Sequence, residues 1–124
     1  MADTAGEALV RRYLAGMETH DLDLVLGCFT PDGVIKSPTY GVQRAADFSP
    51  QLFADSLTTE VSQVRLFRAA DGAAEWIAVF AYHWHRAGKD PVRTRLCDRF
   101  VLTHDSGAIL SLEISNIGPD PDAG

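Results

Sequence analysis

At 124 residues the chain is long enough to bury a real hydrophobic core within one domain of ordinary size. Charged residues make up 23% and the AVILMFWYC set 46%, the balance of a globular protein. The net charge of −6 argues against a nucleic-acid-binding surface or an anionic-membrane partner, since both require basic patches.

Thr4 followed three residues later by Glu7 fits a capping box, so a first helix is expected to start there. Val10, Tyr13, Leu14 and Met17 then keep i, i+3, i+4, i+7 spacing and place one apolar stripe toward the core. His20-Asp21-Leu22-Asp23 breaks this helix and begins another, in which Leu22, Val25, Leu26 and Phe29 repeat the spacing. Thr30-Pro31-Asp32-Gly33 carries strong turn chemistry, and Val34-Ile35-Lys36-Ser37 reads as a short strand ended by Pro38. Between residues 41 and 57 the pattern is less regular. Ser49-Pro50 resembles an N-cap with proline at the first helical position. A short helical turn is expected before it and a helix of about two turns after it, with Leu52, Phe53 and Leu57 inward.

Four strands are expected over 61–69, 74–86, 92–102 and 108–116, separated by loops rich in glycine, aspartate and serine. The segment 118–124 is polar and proline-rich, so residues 1–117 are expected to form a single domain and 118–124 a disordered tail. Helices followed by a meander of long antiparallel strands predict an α+β fold with the helices on one face of the sheet. Long twisted sheets curl, and a curled sheet closed by helices makes a cone whose interior suits a ligand.

Asp98 stands out within the third of these strands. One parity there reads Leu96, Asp98, Phe100, Leu102, and the other Arg93, Arg95, Cys97, Arg99, Val101. Alternate side chains point to opposite faces, so a carboxyl group falls on an apolar face with the arginines behind it. Such a group either finds a partner, a backbone donor or a strand-end hydroxyl, or keeps its proton through a raised pKa. The second outcome is what an acid/base site in an apolar pocket requires.

Tyr13 lies on the inner stripe of the first helix, where a buried phenol needs a hydrogen-bond partner. His83 and His85 share the face opposite Phe80, Tyr82 and Trp84. The turn after Arg86 decides which face joins Asp98. Pairing Phe80 with Asp98 puts the aromatic residues inward, whereas pairing Val79 with Asp98 makes His83 a candidate base. The aromatic face is the expected inner one, because burying it removes more apolar surface from water. Asn116 shares the parity of Leu110, Leu112 and Ile114, and either orients a ligand or caps the strand end. Glu113 has the opposite parity and reads as an outward charge. The ligand contacts expected are thus Phe53, Phe80, Tyr82, Trp84, Phe100 and Asn116. No third ligand accompanies the two histidines, so no metal and no cofactor is expected. Cys28 and Cys97 belong to no metal-binding spacing, and reduced thiols are the simplest account. No secretory signal or spanning stretch is readable, so a cytoplasmic setting is expected.

Together, Val10-Arg11-Arg12-Tyr13-Leu14, His20-Asp21-Leu22-Asp23, Cys28-Phe29-Thr30-Pro31-Asp32-Gly33-Val34, Ser37-Pro38 with Tyr40-Gly41, and Asp98-Arg99-Phe100-Val101-Leu102 resemble the nuclear-transport-factor-2-like superfamily. The similarity is to its SnoaL-like and ketosteroid-isomerase-like branch, whose fold is a cystatin-like or SnoaL-like roll. The resemblance implies that Tyr13 is an oxyanion-hole tyrosine and Asp98 a protonated or acid/base aspartate. The second match requires one extra residue in the turn 104–107. The isomerases keep an aspartate base where this chain has Ser37, and a serine hydroxyl cannot abstract a proton near neutral pH without its own base. The limonene-epoxide-hydrolase branch requires a second inward aspartate, and none is readable. The resemblance implies a small hydrophobic molecule as ligand and a homodimer formed through the outer sheet face. It supports either proton-transfer catalysis of isomerase or polyketide-cyclase type, or a non-catalytic binding or dimerisation module.

Overall fold

The computed structural model describes residues 4–121 of the chain. In chain order the elements are α1 (Thr4–Thr19), α2 (Leu22–Gly27), β1 (Phe29–Ser37), β2 (Gly41–Arg44), α3 (Ala45–Asp55), β3 (Thr58–Arg68), β4 (Glu75–His85), β5 (Val92–Leu102) and β6 (Ile109–Pro119). The six strands form one curled, unclosed sheet in the order β2-β1-β6-β5-β4-β3, with the helices against its inner face. β1 and β6 pair in parallel, and the other neighbours are antiparallel.

α1 buries Val10, Tyr13, Leu14 and Met17, the stripe its spacing predicts, and Leu9 beside them. Thr4 lies within the helix, and Glu7 pairs with Arg11 one turn on at 3.0 Å. This exposed pair contributes about 0.3–0.5 kcal/mol. His20 ends the helix in the left-handed region, with φ at 53°, and the Asp21 N–H reaches back to the Gly16 carbonyl. The Asp21 carboxylate then accepts from the Leu24 N–H at 3.1 Å and caps α2. Gly16 makes the crossing possible, since a Cβ there would lie 2.7 Å from a Val25 methyl.

Three expectations about the middle of the chain are corrected. The segment Thr30-Pro31-Asp32-Gly33 is a wide bulge inside β1, not a turn before it: Phe29 pairs with Ile109, and the next pair is Val34 with Ser111. The excess residues loop outward and leave Pro31 and Asp32 exposed. β2 has no counterpart among the expected elements. It is a four-residue edge strand whose Val42 is exposed, so it has no buried face to imprint alternation on the sequence. Residues 45–55 form one helix with Pro50 inside it, and Ser49 is buried within that helix. Burial of Phe48 and Leu52 holds the helix through the proline, against its local preference.

β4 and β5 pair without a register shift from Glu75 opposite Val101 to Trp84 opposite Val92. Ala78, not Phe80, stands opposite Asp98, one two-residue step from the expected register, and the step preserves parity. In β6 the register shifts between Val101 and Leu102 of its neighbour, so Ile109 is fully buried and Leu110 bulges out, 45% exposed. Leu110 therefore does not share the inner face of Leu112 and Ile114. Glu113 faces out and pairs with Lys36 at 3.4 Å. The tail expectation fails at its start: β6 continues through Pro119, and the buried Asp120 bonds to His83. Residues 122–124 lie outside the described residues.

Candidate functional site

Between the inner sheet face and helices α1 and α3 lies a cavity of about 280 Å³. Its long wall follows the paired strands β4 and β5, where Ala78, Phe80, Tyr82 and Trp84 stand beside Asp98, Leu96, Thr94 and Val92. Every one of these except Ala78 lines the cavity, with Tyr13, Leu14 and Met17 of α1 across from them.

Asp98 is 2% exposed, set between Ala78 of β4 and Ile114 of β6. Its Oδ1 is buried with no hydrogen-bond partner. Burial alone raises its pKa well above the ordinary carboxylate range, since no cation or donor opposes the desolvation of the charge. Burial and the unpartnered oxygen thus favour the protonated form of Asp98 on the cavity wall.

Tyr13 faces the same cavity from α1, its ring packed edge-on against Phe29 at 5.8 Å and Phe100 at 5.5 Å. Burial raises its phenol pKa, and the nearby Asp98 charge would raise it further. Tyr82 has its pKa raised for the same two reasons, and it shares a hydrogen bond with Thr59. Trp84 is fixed by donating its indole N–H to Ser56 Oγ at 2.7 Å, while Ser56 donates to the Leu52 carbonyl at 2.6 Å.

Of the residues expected from sequence, Asp98, Tyr13, Phe80, Tyr82, Trp84 and Asn116 converge on the cavity. Asn116 uses its carbonyl oxygen at the strand end, accepting from Thr94 Oγ at 2.8 Å and the Gly118 N–H at 2.9 Å. Phe100 is fully buried beneath Tyr13 and does not reach the cavity. Phe53 stacks on His20 at 5.3 Å, outside the lining. His83 is corrected: the register turns it to the opposite face, where Nε2 lies 2.8 Å from Asp120 and Nδ1 3.6 Å from Glu60. It cannot act on a molecule held beside Asp98. Ser37 does line the cavity, and its oxygen accepts the Thr39 and Tyr40 N–H groups at 3.2 and 2.9 Å. Its lone pairs are committed to the β1–β2 turn, so a base is not available at this position.

Sequence reasoning missed the polar cluster at the far end of β4. Arg86 lines the cavity, with its guanidinium carbon 4.1 Å from the Trp84 ring centre. Its Nη1 lies 3.5 Å from Asp55, and Tyr40 donates to the same carboxylate oxygen at 2.5 Å. The Tyr40 phenol is pushed up to about 12 by burial and by this bond, and the bond holds Asp55 below the usual carboxylate range. Arg86 has the parity of Phe80, Tyr82 and Trp84, and extending that alternation by one step would have found it. Among the described residues, no group of three or more His, Cys, Asp or Glu side chains could hold a metal ion. No helix among them is long and apolar enough to cross a membrane.

Among solved structures, a candidate polyketide cyclase from Pseudomonas putida is similar, with 18% identity over 92% of each chain and a TM-score of 0.75. The BvnE pinacolase from Penicillium brevicompactum matches 91% of this chain and 86% of its own, with 10% identity and a TM-score of 0.76. A protein with a ketosteroid-isomerase-like fold from Catenulispora acidiphila, solved with trimethylamine, covers 86% of this chain and 83% of its own, with 15% identity and a TM-score of 0.72. At these identities the likeness is one of fold. No curated protein matches the chain. The family model of the SnoaL-like domain matches residues 10–111, most of the chain, and the protein belongs to the SnoaL-like family.

Proposed function

We propose that the cavity binds a small, mainly hydrophobic carbonyl compound and that Asp98 serves there as a proton donor in an isomerase- or cyclase-type reaction. The observation that carries this reading is the buried Oδ1 of Asp98, which lines the cavity and lacks a partner. A neutral carboxyl in an apolar site donates a proton to the carbonyl oxygen, and a water molecule admitted with the ligand takes the proton leaving the adjacent carbon, so that an enol forms without net change in protons. Tyr13, whose raised pKa keeps its phenol protonated, supplies a second donor from the opposite wall. Related folds that include a candidate polyketide cyclase and a pinacolase give the reading a precedent.

Solvent-exchange NMR tests it with model carbonyl compounds in place of the natural substrate. A panel of ketones and β-dicarbonyl compounds is incubated with the protein in D₂O. The expected result is deuterium incorporation next to a carbonyl, abolished in Asp98→Asn. If carbonyl compounds bind in the cavity and none exchanges faster than with Asp98→Asn, the catalytic reading fails. The second reading, a non-catalytic binding or dimerisation module, then takes its place; it is favoured by Ser37, whose oxygen is committed to the turn.

A further inference from the structure

Arg86 is an arginine whose hydrogen-bonding capacity is only partly used. Its side chain is 16% exposed, and its guanidinium carbon sits over the Trp84 ring, 4.1 Å from the ring centre. A planar guanidinium carries five N–H donors. Asp55 approaches Nη1 at 3.5 Å, well beyond the 2.7–2.9 Å typical of charge-assisted hydrogen bonds. That carboxylate oxygen is the one Tyr40 holds at 2.5 Å, so Asp55 is anchored to the phenol more firmly than to the cation. Arg86 Nε is buried and has no partner. A buried donor left unmatched is unfavourable, and more so when it belongs to a charged group. The Nε side of the guanidinium is also the edge that Asp55 does not engage.

From this we infer that Arg86 forms an anion subsite at one end of the cavity and that the ligand carries a carboxylate beyond its apolar body. A carboxylate matches the fork of two parallel N–H groups in which Nε takes part. Trp84 offers the apolar surface next to it, and Phe48 lines the same cavity. Trp84, Ser56, Asp55 and Tyr40 form a connected frame that holds the guanidinium in place before a ligand arrives, which lowers the cost of ordering it on binding. The inference rests on the cavity being a ligand site, as proposed above, but not on any chemistry at Asp98.

The test compares 4-phenylbutyrate with 4-phenyl-1-butanol, two probes that share an apolar body and differ in the charged head. Binding is followed by the NMR shift of the Trp84 indole N–H, which reports on the Arg86 end of the cavity. The acid is expected to bind at least about 10-fold more tightly than the alcohol, the least that hydrogen bonds to a charged group supply. The preference is expected to vanish in Arg86→Gln and to survive in Asp98→Asn. Equal affinity of the two probes for the unaltered protein overturns the inference, with no variant needed. A preference that persists in Arg86→Gln overturns it as well, as does absence of a saturable shift with the acid up to its solubility limit. If the preference survives in Asp98→Asn but no ketone exchanges deuterium, the subsite stands and only the catalytic reading falls.

Discussion

Replacing Asp98 by Asn should change how stability depends on pH more than it changes stability at any one pH. In the unfolded chain Asp98 ionises near its ordinary pKa of about 3.9. In the fold its pKa is raised well above that, because burial disfavours the charge and no cation compensates. Below about pH 4 both states hold the proton and the group has no effect on the balance. Above it the folded state keeps a proton that the unfolded state releases, so the folded state binds more protons and stability falls as pH rises. The fall continues until pH reaches the raised folded pKa, with a slope of about 1.4 kcal/mol per pH unit. Asparagine cannot ionise, so Asp98→Asn lacks this slope. Urea denaturation of the two proteins at rising pH from about 4.5 should therefore show the difference between them moving in favour of the variant, by up to about 1.4 kcal/mol for each pH unit below the raised folded pKa. Taking the difference cancels every other titrating group, and the fixed cost of the amide enters only as a constant offset. A difference that stays level with pH would mean that Asp98 is ionised in the fold, and the reasoning from its unpartnered oxygen would be refuted.

Ser37→Ala should cost about 1–2 kcal/mol in urea denaturation, because the Thr39 and Tyr40 N–H groups lose their acceptor and only the exposed Thr39 can readily turn to water. His83→Ala should lower stability by about 1–2 kcal/mol through the loss of its bond to the buried Asp120. It should leave the Trp84 response to 4-phenylbutyrate unchanged, and a weakened response would return His83 to the site.

The inner wall of the cavity was legible because it obeys period two. Phe80, Tyr82 and Trp84 alternate without interruption, as do Leu96, Asp98 and Phe100, and strands paired without a shift keep both sets on one face. The face was therefore right even though the register was off by a two-residue step. Legibility failed where a bulge changes parity, as at Leu110, where one inserted residue sends its side chain outward and brings Ile109 in. It failed also where long-range packing outweighs a local rule, as at Pro50 within α3. Phe100 and Phe53 show a further limit. Periodicity tells which residues face inward, but not which are covered by another side chain, and Tyr13 lies over Phe100. Alternation along β4 reaches Arg86, but the Tyr40–Asp55–Arg86 cluster joins three segments distant in sequence, so no local pattern brings Tyr40 and Asp55 to it.

Arg86 brings a cation to the cavity, yet Asp98 is not held ionised by it, and distance accounts for this. The Arg86 guanidinium lies over Trp84, six residues along β4 from Ala78, the neighbour of Asp98. At about 3.3 Å per residue this separates them by up to about 20 Å along the strand, and Arg86 is not among the causes that act on the Asp98 carboxyl. With an effective dielectric of about 20, unit charges at that distance attract by about 0.8 kcal/mol, or about 0.6 of a pKa unit. Desolvation of a fully buried carboxylate shifts its pKa by several units, so desolvation wins and the proton stays. The same arithmetic lets the two ends of the cavity work independently. A carboxylate bound at Arg86 would repel an ionised Asp98 only weakly, and a neutral one hardly at all. An anionic ligand can thus be held by its charged end at Arg86 while the apolar cavity beyond it keeps a proton available on Asp98.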